Sequence, residues 1–417
     1  MSGSPTERPE AGGRLWVVSE LYYPEETSTG YYMTKIAEGL APDLDVKVIC
    51  GQPTYSMRGT RAPSHEFHKN VEIFRAAGTT LNKDVIAFRL INMLTLGLSI
   101  LVKAIRRFRP GDRILVVTTP PSMPFIVAFA ALARGAAYTL LIHDNYPELL
   151  IAVGKVRADS FFCRFNEFLN RWLYKNASSF VVVGRDMAES LKRKTNGLEP
   201  RIDTIPNWAE LETVRPLPRN ENTLLAELGL LDKFVVLYAG NIGRPNDVET
   251  IAQAAEKLLE TSPIIHFVFI GAGAKRKWLE TRIRERQLSN ITLIDPRPRR
   301  EQPVFLNACD IAVVSLVSKM WGVSVPSRTY NAIAAGKPLI ALTEPNSEVD
   351  RMIKEDRLGW SVPPGDPDLL QEAILEAAHS TVLPAIAKRA RRSAEEKYSV
   401  EVALKRYRAS ISGTLSE

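Results

Sequence analysis

Short apolar runs alternate with amphipathic stretches along the first half of the chain. The runs have the length and composition of buried β-strands, and they lie at 14–19, 45–50, 71–75, 113–118, 138–143 and 179–183. Stretches with helical periodicity lie between them, at 31–40, 84–108, 160–174 and from Arg185 onward. Because short connections join these elements, the pattern predicts a parallel sheet covered by helices on both faces, in one α/β domain at 14–205.

The same alternation resumes after a proline-rich strip. Residues 206–222 show little periodicity and are predicted to be a linker. The strands predicted beyond it lie at 234–239, 266–270, 290–294, 310–315, 338–342 and near 360, with helices at 247–259, 275–286, 302–307, 367–378 and 383–397. We predict a second α/β domain at 223–397, a last helix at about 398–417 that crosses back onto the first domain, and a disordered leader at 1–13. Two doubly wound sheets would then face each other across a cleft.

The bulk composition agrees with two soluble globular domains. At 417 residues the chain exceeds what one hydrophobic core usually supports, and its 45% hydrophobic and 24% charged residues are ordinary for such proteins. The three cysteines, Cys50, Cys163 and Cys309, are far apart in sequence and fit a reducing compartment such as the cytoplasm. A net charge of +7 suits an anionic small substrate or a lipid surface and does not by itself indicate nucleic acid.

The stretch from Gly322 to Ile340 gives the first indication of a ligand site. It predicts a loop closed by Pro326, a helix that opens at Ser327, and a buried strand. Serine is a favoured N-cap residue because its hydroxyl accepts a hydrogen bond from a first-turn amide. The remaining amides favour an anion, and Arg328 in the first turn is unfavourable unless an anion lies there. We expect that anion to be a diphosphate; the alternative is an ordinary capped helix with a surface arginine.

Eight motifs occur in order along the chain and together carry a family resemblance. They are YYPEETSTG at 22–30, TTPPSMPF at 118–125, HDNYPE at 143–148, YAGNIGRPNDVET at 238–250, FIGAGAKRKWLE at 269–280, NACD at 307–310, VPSRTYNAIAAGKP at 325–338 and VPPGDP at 362–367. With these motifs the chain resembles glycosyltransferases of the GT-B fold, family 4. It is most similar to the branch that builds bacterial surface polysaccharides of the colanic-acid and O-antigen type.

The resemblance implies a fold and a reaction. The fold is α/β, with two Rossmann-like doubly wound domains facing across a cleft. The reaction is a retaining transfer of a hexosyl or deoxyhexosyl group from a nucleotide diphosphate sugar to a lipid-linked or oligosaccharide acceptor, without a metal or other cofactor. Charge then builds on the departing diphosphate, and Arg244 and Arg328 are expected to stabilise it. Backbone contacts to the donor are expected at Pro326, Ser327 and Thr329.

The same resemblance implies contacts from the first domain. His143 matches the family's histidine near the donor sugar and is expected to position a sugar hydroxyl. Asp144 and Glu148 are expected to orient His143 or to bind acceptor, although Glu148 would serve equally as a helix cap. A loop near both the diphosphate and the acceptor corresponds to Thr27, Ser28, Thr29 and Gly30. Its free amides would point into the cleft, and the alternative is a plain strand-to-helix turn.

Further donor contacts are expected in loops of the second domain. They correspond to Asn241, Gly243, Gly271, Gly273, Lys275 and Arg297. The glycines at 271 and 273 are two of the three in a dinucleotide fingerprint and are expected to let the backbone approach the nucleotide. Lys275 either contacts phosphate or is solvated. Arg297 lies in a basic run that matches the family loop whose backbone reads the base, the alternative being a solvated face.

The chain departs from the common family pattern at two acidic positions. Val323 stands where the first of two glutamates is expected, and Asn331 where the second is expected. Asn331 is expected to hold ribose hydroxyls through its amide, whereas Val323 cannot replace a carboxylate. We therefore hypothesise a different donor sugar, such as a deoxy sugar that lacks a hydroxyl.

A basic cluster and two alternative functions complete the predictions. The cluster consists of Lys103, Arg106, Arg107, Arg109 and Arg113. It suits peripheral contact with an anionic membrane at the inner face of the plasma membrane, the alternative being a solvated helix end. The alternative functions are a UDP-sugar 2-epimerase-like isomerase and a non-catalytic partner subunit that binds nucleotide sugar.

Overall fold

The computed structural model describes residues 13–53, 61–81 and 86–413. The predicted leader, apart from Gly13, lies outside these residues, as do the first two residues of the helix predicted at 84–108. The strands of the first domain are β1 (Leu15–Ser19), β2 (Val46–Cys50), β3 (His65–His68), β4 (Val71–Arg75), β5 (Arg113–Val117), β6 (Ala137–Ile142), β7 (Ser179–Val182) and β8 (Ile202–Thr204). Its helices are α1 (Ser28–Leu40), α2 (Ile86–Arg107), α3 (Met123–Ala133), α4 (Glu148–Ala152), α5 (Phe161–Lys175) and α6 (Arg185–Lys194).

The second domain repeats this alternation of strands and helices. Its strands are β9 (Phe234–Ala239), β10 (Ile265–Ile270), β11 (Ile291–Ile294), β12 (Ile311–Ser315), β13 (Leu339–Leu342) and β14 (Gly359–Val362). Its helices are α7 (Thr223–Glu227), α8 (Val248–Thr261), α9 (Arg276–Glu285), α10 (Gln302–Asn307), α11 (Arg328–Ala334), α12 (Glu348–Asp356), α13 (Pro367–His379) and α14 (Leu383–Lys397). Helix α15 (Val400–Ser412) follows, and 3-10 turns lie at Arg219–Glu221 and Arg299–Glu301.

Both sheets have the strand order of a doubly wound Rossmann-type fold. The first sheet runs β3-β4-β2-β1-β5-β6-β7-β8 and the second β11-β10-β9-β12-β13-β14. Strand β3 is antiparallel to β4, whereas the strands from β4 to β8 pair in parallel. The order reverses between β1 and β5 in one sheet and between β9 and β12 in the other, and such switch points are where open α/β sheets bind ligands. The predicted fold class is confirmed.

Residues of the central strands alternate between two apolar layers because side chains of a strand point to opposite faces. In β1, Trp16 and Val18 pack with α2, α3 and α5, whereas Leu15 and Val17 pack with α1 and α15. The first layer continues into the second domain through residues such as Leu237 and Tyr330. The two domains therefore share a hydrophobic core along one side.

Strands β3 and β8 and helices α4, α7 and α12 were not predicted from the sequence. Strands β3 and β8 are short edge strands with few fully buried residues, so their hydrophobic pattern is weak. Helix α12 begins after Ser347, whose hydroxyl accepts a hydrogen bond from the Asp350 amide at 3.3 Å. This serine with an acidic residue three positions later is the signature of a helix start.

The connection between the domains is packed rather than loose. In the predicted linker, Trp208 and Ala209 are buried, and the Ala209 amide donates to the Tyr398 carbonyl at 2.8 Å. Tyr398 precedes α15, which lies against α1 of the first domain with Tyr407 buried in the same apolar layer. Arg408 of α15 also pairs with Asp43. The chain therefore passes between the domains twice, and the two passages touch.

The carboxyl ends of both sheets face the same gap. Within the described ranges, none of the helices combines the length and apolar character that crossing a membrane requires. Among the contacts across this gap is that of the Ser28 and Ser327 hydroxyls, whose oxygens lie 2.9 Å apart. This contact joins the start of α1 to the start of α11, and both were predicted to lie at the ligand site.

Candidate active site

The hydroxyl of Ser327 bridges the domains and does not cap α11. Ser327 has helical backbone angles (φ −64°, ψ −21°), and its side chain accepts no hydrogen bond from the first turn. The predicted N-cap hydrogen bond is therefore wrong, because N-cap residues accept from the first turn with an extended backbone. The Ser327 hydroxyl is left to pair with Ser28 across the gap. Pro326, just before it, accepts a hydrogen bond from the Thr329 amide at 3.2 Å.

Thr27 is the residue that caps a helix at this gap. Its backbone is extended, and its Oγ1 accepts from the Gly30 amide at 3.3 Å. Helix α1 thus begins three residues earlier than predicted, so that Ser28 and Thr29 lie in its first turn. The Gly30 amide is already occupied by the cap. A Cβ at Gly30 would lie 2.8 Å from the Glu25 carbonyl oxygen, which explains glycine there.

Arg328 is held in place on two sides and keeps one nitrogen unused. Its Nη2 donates to Asn246 Oδ1 at 2.8 Å, and its guanidinium lies 4.6 Å from the ring centroid of Tyr238. Its Nη1 is buried and has no hydrogen-bond partner among the described residues. A buried guanidinium nitrogen favours an anionic oxygen at hydrogen-bond distance. Asn246 and Tyr238 both lie in the motif at 238–250, but nothing local in that motif indicates that they hold Arg328.

The loop after β9 carries the other predicted arginine in a different setting. Arg244 is exposed, and it makes no hydrogen bond or ion pair within the described part of the chain. Asn241 is exposed and Gly243 is buried. The Asn241 carbonyl accepts from the Tyr238 hydroxyl at 2.7 Å and from Asn246 Nδ2 at 2.9 Å. This loop therefore fixes the two residues that hold Arg328, while the Arg244 side chain extends into solvent.

The two fingerprint glycines are required by contacts within the protein. Gly271 and Gly273 have φ angles of +155° and +152°, and a Cβ would overlap the Gly240 carbonyl oxygen in one case and that of Ile242 in the other. The loop after β10 thus packs directly on the loop after β9. This packing accounts for both glycines, whereas the sequence analysis attributed them to nucleotide approach. Lys275, next in this loop, is paired with Glu249 at 2.8 Å.

In the basic run at 296–300, Arg299 and not Arg297 reaches the first domain. Arg297 pairs with Glu301 at 3.2 Å, within its own domain. Arg299 lies 3.6 Å from the ring centroid of Tyr31, which is on α1, and forms an ion pair with Glu210 of the linker. Nothing local in the sequence distinguishes these two arginines, since only the domain arrangement brings Tyr31 to one of them.

Asn331 and Thr329 face the protein interior. Asn331 Oδ1 accepts from the Glu210 amide at 3.0 Å, and its Nδ2 donates to Gln302 Oε1 at 3.3 Å. Each atom of this amide already has one protein partner and retains capacity for a second, so the ribose contact of Asn331 stays a prediction. Thr329 is fully buried. Its side chain is thus part of the packing beneath α11, and only its backbone lies in the first turn.

His143 stands at the end of β6 with one ring nitrogen unpaired. Its amide donates to Thr118 Oγ1 at 3.2 Å, and its ring lies edge-on to that of Tyr32 with centroids 6.5 Å apart. Its Nε2 is buried and has no hydrogen-bond partner among the described residues. Burial lowers the pKa of His143 to about 4, because the charged form loses its hydration. The ring is therefore neutral at pH 7 and available to a ligand hydroxyl.

Asp144 and Glu148 differ in their surroundings. Asp144 forms an isolated antiparallel bridge with Ser324 of the second domain, and burial raises its pKa to about 6. Glu148 is the first residue of α4 and pairs with Lys194 at 2.8 Å, while the cap position is held by Pro147. Glu148 is thus tied to α6 and does not orient His143.

Val323 lies in an apolar cluster at the junction of the domains. It is 2% exposed and packs with Leu316 and Met320, and Leu149 of α4 packs against the same cluster. Its carbonyl accepts from the Asn145 amide at 2.9 Å. A carboxylate here would be buried without water, so the valine fits this surrounding and the family's glutamate would not.

A pH dependence of stability follows from His143. An unfolded histidine has a pKa near 6.5, so between about pH 6.5 and 4 the unfolded chain binds a proton that folded His143 does not. Stability due to this residue therefore falls as the pH drops through that window. Because the pKa of Asp144 is raised, its contribution to stability increases as the pH drops from about 6 to 4. In that range the folded chain binds a proton at Asp144 that the unfolded chain does not.

When the pH is lowered from 7 to 5, the unsubstituted protein should lose free energy of unfolding that His143→Gln does not lose. The free energy of unfolding of the variant should therefore rise by roughly 1–2 kcal/mol relative to that of the unsubstituted protein. Urea unfolding at the two pH values measures this change. His379→Gln is the matched control, because His379 is exposed on α13. Equal pH dependence of the His143→Gln and unsubstituted proteins would contradict a neutral, buried His143.

Over residues 13–53, 61–81 and 86–413, the side chains of His, Cys, Asp and Glu nowhere form a group of three that could hold a metal ion. The charged residues described above at or near this gap include Arg328, Arg299, Asp144 and Arg244.

Two doubly wound domains whose switch-point loops meet across a gap define a protein of the GT-B class. Comparison with known proteins agrees with this class. Residues 28–208 match the glycosyl transferase 4-like domain, and residues 221–397 match the glycosyl transferases group 1 domain. The chain belongs to this family of glycosyltransferases, and the resemblance found in the sequence is confirmed.

Individual relatives match over nearly the whole chain. WbjE of Pseudomonas aeruginosa, named as a glycosyltransferase, is 31% identical over 405 residues, covering 97% of this chain and 99% of its own. WcaI of Escherichia coli K12, named for colanic acid biosynthesis, is 24% identical and covers 88% of this chain and 94% of its own. The solved structure of HepE from Anabaena with UDP and glucose has a TM-score of 0.69 at 14% identity, covering 96% of this chain and 100% of HepE.

Proposed function

We propose that this glycosyltransferase moves a sugar, with retention of anomeric configuration, from a nucleoside diphosphate sugar to a lipid-linked or oligosaccharide acceptor. The pathway we propose is exopolysaccharide or O-antigen synthesis in the cytoplasm, at the inner face of the plasma membrane. The observation that carries the proposal is Arg328, held by Asn246 and Tyr238 with Nη1 unpaired at the switch point of the second sheet. Relatedness to WcaI and likeness to HepE, whose structure contains UDP and glucose, support the substrate classes.

In this proposal the diphosphate lies between Arg328 and the first turn of α1. The bond between the anomeric carbon and the diphosphate oxygen breaks, and the guanidinium stabilises the charge that develops on that oxygen. The acceptor oxygen bonds the anomeric carbon on the same face, and its proton passes to the departing diphosphate. Neutral His143 holds a sugar hydroxyl through its unpaired Nε2, and Arg244 closes over the diphosphate from its solvent-exposed loop. No metal ion is assigned a role.

We further propose a deoxyhexose donor. The apolar cluster around Val323 offers no hydrogen bond from its side chains, so a sugar position that faces it would lack a hydroxyl. A site that cannot hydrogen-bond a hydroxyl favours the analogue without it, because burying an unpaired hydroxyl costs free energy.

The test is a panel of UDP, GDP and dTDP sugars offered to the full chain. Thermal shift identifies the donor that binds, since a ligand specific to the folded state raises the melting temperature. Transfer to a candidate acceptor is then followed by NMR, which reports the anomeric configuration, with and without EDTA. We expect retention, insensitivity to EDTA, and preference for a deoxy sugar over its hydroxylated parent.

Other outcomes of this panel would replace the proposal. Interconversion of donors without acceptor would indicate the 2-epimerase-like isomerase. Binding without transfer or hydrolysis for any donor and acceptor pair would indicate the non-catalytic partner subunit. A product with inverted anomeric configuration would contradict the same-face mechanism.

A further inference from the structure

Three helices on one face of the first sheet leave a broad apolar surface exposed. Helices α2, α3 and α5 all pack on the layer that contains Trp16 and Val18. Their outward sides carry large hydrophobic residues that are exposed: Phe88, Leu90, Ile91, Leu94, Leu98 and Val102 on α2, Phe129 and Leu132 on α3, and Phe161, Phe162, Phe165, Phe168 and Trp172 on α5. We call these residues the apolar face. Exposed apolar surface of this extent marks an interaction site.

Helix α5 shows most clearly that this exposure is not a by-product of core packing. Phe161, Phe165, Phe168 and Trp172 recur at helical spacing and form one stripe, and Phe161 and Phe168 are 83% and 69% exposed. The residues that α5 buries are Cys163, Asn170, Leu173 and Tyr174, on the side opposite the stripe. Helix α5 therefore has apolar residues on both its buried and its outward side, whereas an ordinary amphipathic surface helix is polar on its outward side.

The charges on these helices have one predominant sign. Helices α2, α3 and α5 contain seven lysine or arginine residues and one acidic residue, Glu167. On α5, the exposed Arg164, Arg171 and Lys175 lie along one edge of the aromatic stripe. Aromatic residues beside lysine and arginine are the composition of helices that lie in a membrane interface.

The basic cluster predicted at the end of α2 is only partly available to a partner. Arg107 lies 4.1 Å from the ring centroid of Phe74, and Arg113 donates to the Ile411 carbonyl at 2.8 Å. These two residues are held by the protein itself. The apolar face and the cations of α5, which the sequence analysis did not assign, therefore provide the larger surface.

The apolar face lies close to the proposed acceptor side of the active site. Asn170 of α5 donates from Nδ2 to the Tyr146 carbonyl at 3.0 Å. Tyr146 is two residues from Asp144 in the loop after β6. The inner side of α5 thus supports the loop that carries His143 and Asp144, while its outer side is the aromatic stripe.

We propose that the apolar face docks on an anionic phospholipid bilayer, with the aromatic stripe of α5 in the interface and its cations against lipid phosphates. Docking on a bilayer deepens the proposed function. The consequence for catalysis rests on that function: an acceptor anchored in the bilayer meets the loop at 143–148. A second copy of the chain is disfavoured as the occupant, because pairing two such faces would bring together cations with only Glu167 to neutralise them.

The test uses the full chain and vesicles, without donor or acceptor. We expect the protein to float with vesicles of phosphatidylglycerol and phosphatidylcholine at low salt, and much less with phosphatidylcholine alone. Replacing the three phenylalanines (Phe161→Ser, Phe165→Ser and Phe168→Ser) should lower partitioning at least roughly tenfold. Replacing the cations (Arg164→Gln, Arg171→Gln and Lys175→Gln) should lower it roughly a hundredfold on anionic vesicles, at about fivefold for each cation.

The matched control replaces three exposed hydrophobic residues of the second domain, by Ile264→Ser, Trp278→Ser and Val382→Ser. It should float like the unsubstituted protein. Circular dichroism and the thermal shift with nucleotide show that each variant is folded. Transfer to a water-soluble acceptor, measured separately, tests the proposed function without vesicles.

Three outcomes would overturn the docking proposal. One is the absence of flotation with anionic vesicles at low salt. A second is equal flotation of the control, the phenylalanine variant and the unsubstituted protein. The third is a dimer, detected by light scattering, that the phenylalanine variant converts to monomer with no change in flotation, since the face would then be a protein interface.

Discussion

Replacing Arg328 by alanine is expected to lower kcat/KM for sugar transfer by roughly 10²–10³ while leaving the protein folded. The guanidinium is fixed by Asn246 Oδ1 and by the ring of Tyr238, so it is already oriented before a donor binds. A preorganised cation stabilises charge on a leaving oxygen without reorganisation. Its removal should therefore mainly lower the rate of sugar transfer. Steady-state kinetics with the donor found in the panel measures the effect.

Two further variants separate charge from geometry at this position. Arg328→Lys keeps the positive charge but loses the planar group that both donates to Asn246 and stacks on Tyr238, so it should recover only part of the rate. Arg282→Ala is the matched control, since Arg282 is on the same domain but pairs with Glu256 between α9 and α8. Our assignment fails if Arg328→Ala and Arg282→Ala have the same kcat/KM.

Replacing Gly271 by alanine is expected to destabilise the protein by at least about 3 kcal/mol. Gly271 has a φ of +155°, a conformation that alanine rarely adopts, and a Cβ there would overlap the Gly240 carbonyl oxygen. Gly240 is itself packed against Arg328, because a Cβ at Gly240 would lie 3.1 Å from the Arg328 Cζ. Relief of the overlap would therefore also displace the guanidinium. Urea unfolding measures the stability, and nucleotide affinity reports on the site.

Gly229→Ala is the control for the backbone conformation alone. Gly229 lies in the same domain with a φ of +67°, and no atom lies within 4 Å of a Cβ built there. Its replacement should cost only about 1–2 kcal/mol, the cost of a left-handed alanine. If both substitutions destabilise the protein equally, the loop-to-loop contact at Gly271 has no special importance.

Most of the fold could be predicted because buried parallel strands are continuous apolar runs. The run at 234–239 coincides with β9, and 71–75 coincides with β4. The strand order and the register of the two sheets were not predicted, because they depend on contacts between distant parts of the chain. Strand β3 could not be found this way, because His65–His68 is an edge strand whose residues are exposed or half-buried, and pairing with β4 alone orders it.

The candidate site was predictable as a set of loops but not as a set of contacts. The sequence places Ser28, Ser327 and Arg328 at the right strand ends, since carboxyl ends of parallel strands share one edge. It could not show that Ser327 pairs with Ser28, or that Asn331 is engaged by Glu210 and Gln302. Those partners come from distant parts of the chain, and a local rule such as N-capping cannot anticipate them.

The aromatic stripe on α5 is a second feature whose surroundings could not be predicted from the sequence. Helical spacing of Phe161, Phe165 and Phe168 indicates an apolar side but not the environment it meets. The sheet accepts the side with Cys163, Asn170 and Leu173, so the aromatic side remains outside. Only the docking of the helix on its neighbours determines which of its two sides becomes surface.

The double passage of the chain between the domains restricts how substrate can enter. The linker and the segment before α15 run side by side, because the Ala209 amide donates a hydrogen bond to the Tyr398 carbonyl. We expect the gap to open by a hinge rotation about these two adjacent crossings, since a second crossing restricts sliding and twisting of the domains. Such a rotation would separate Ser28 from Ser327, and it would also break other contacts across the gap, among them those of Asp144 with Ser324 and of Arg299 with Tyr31.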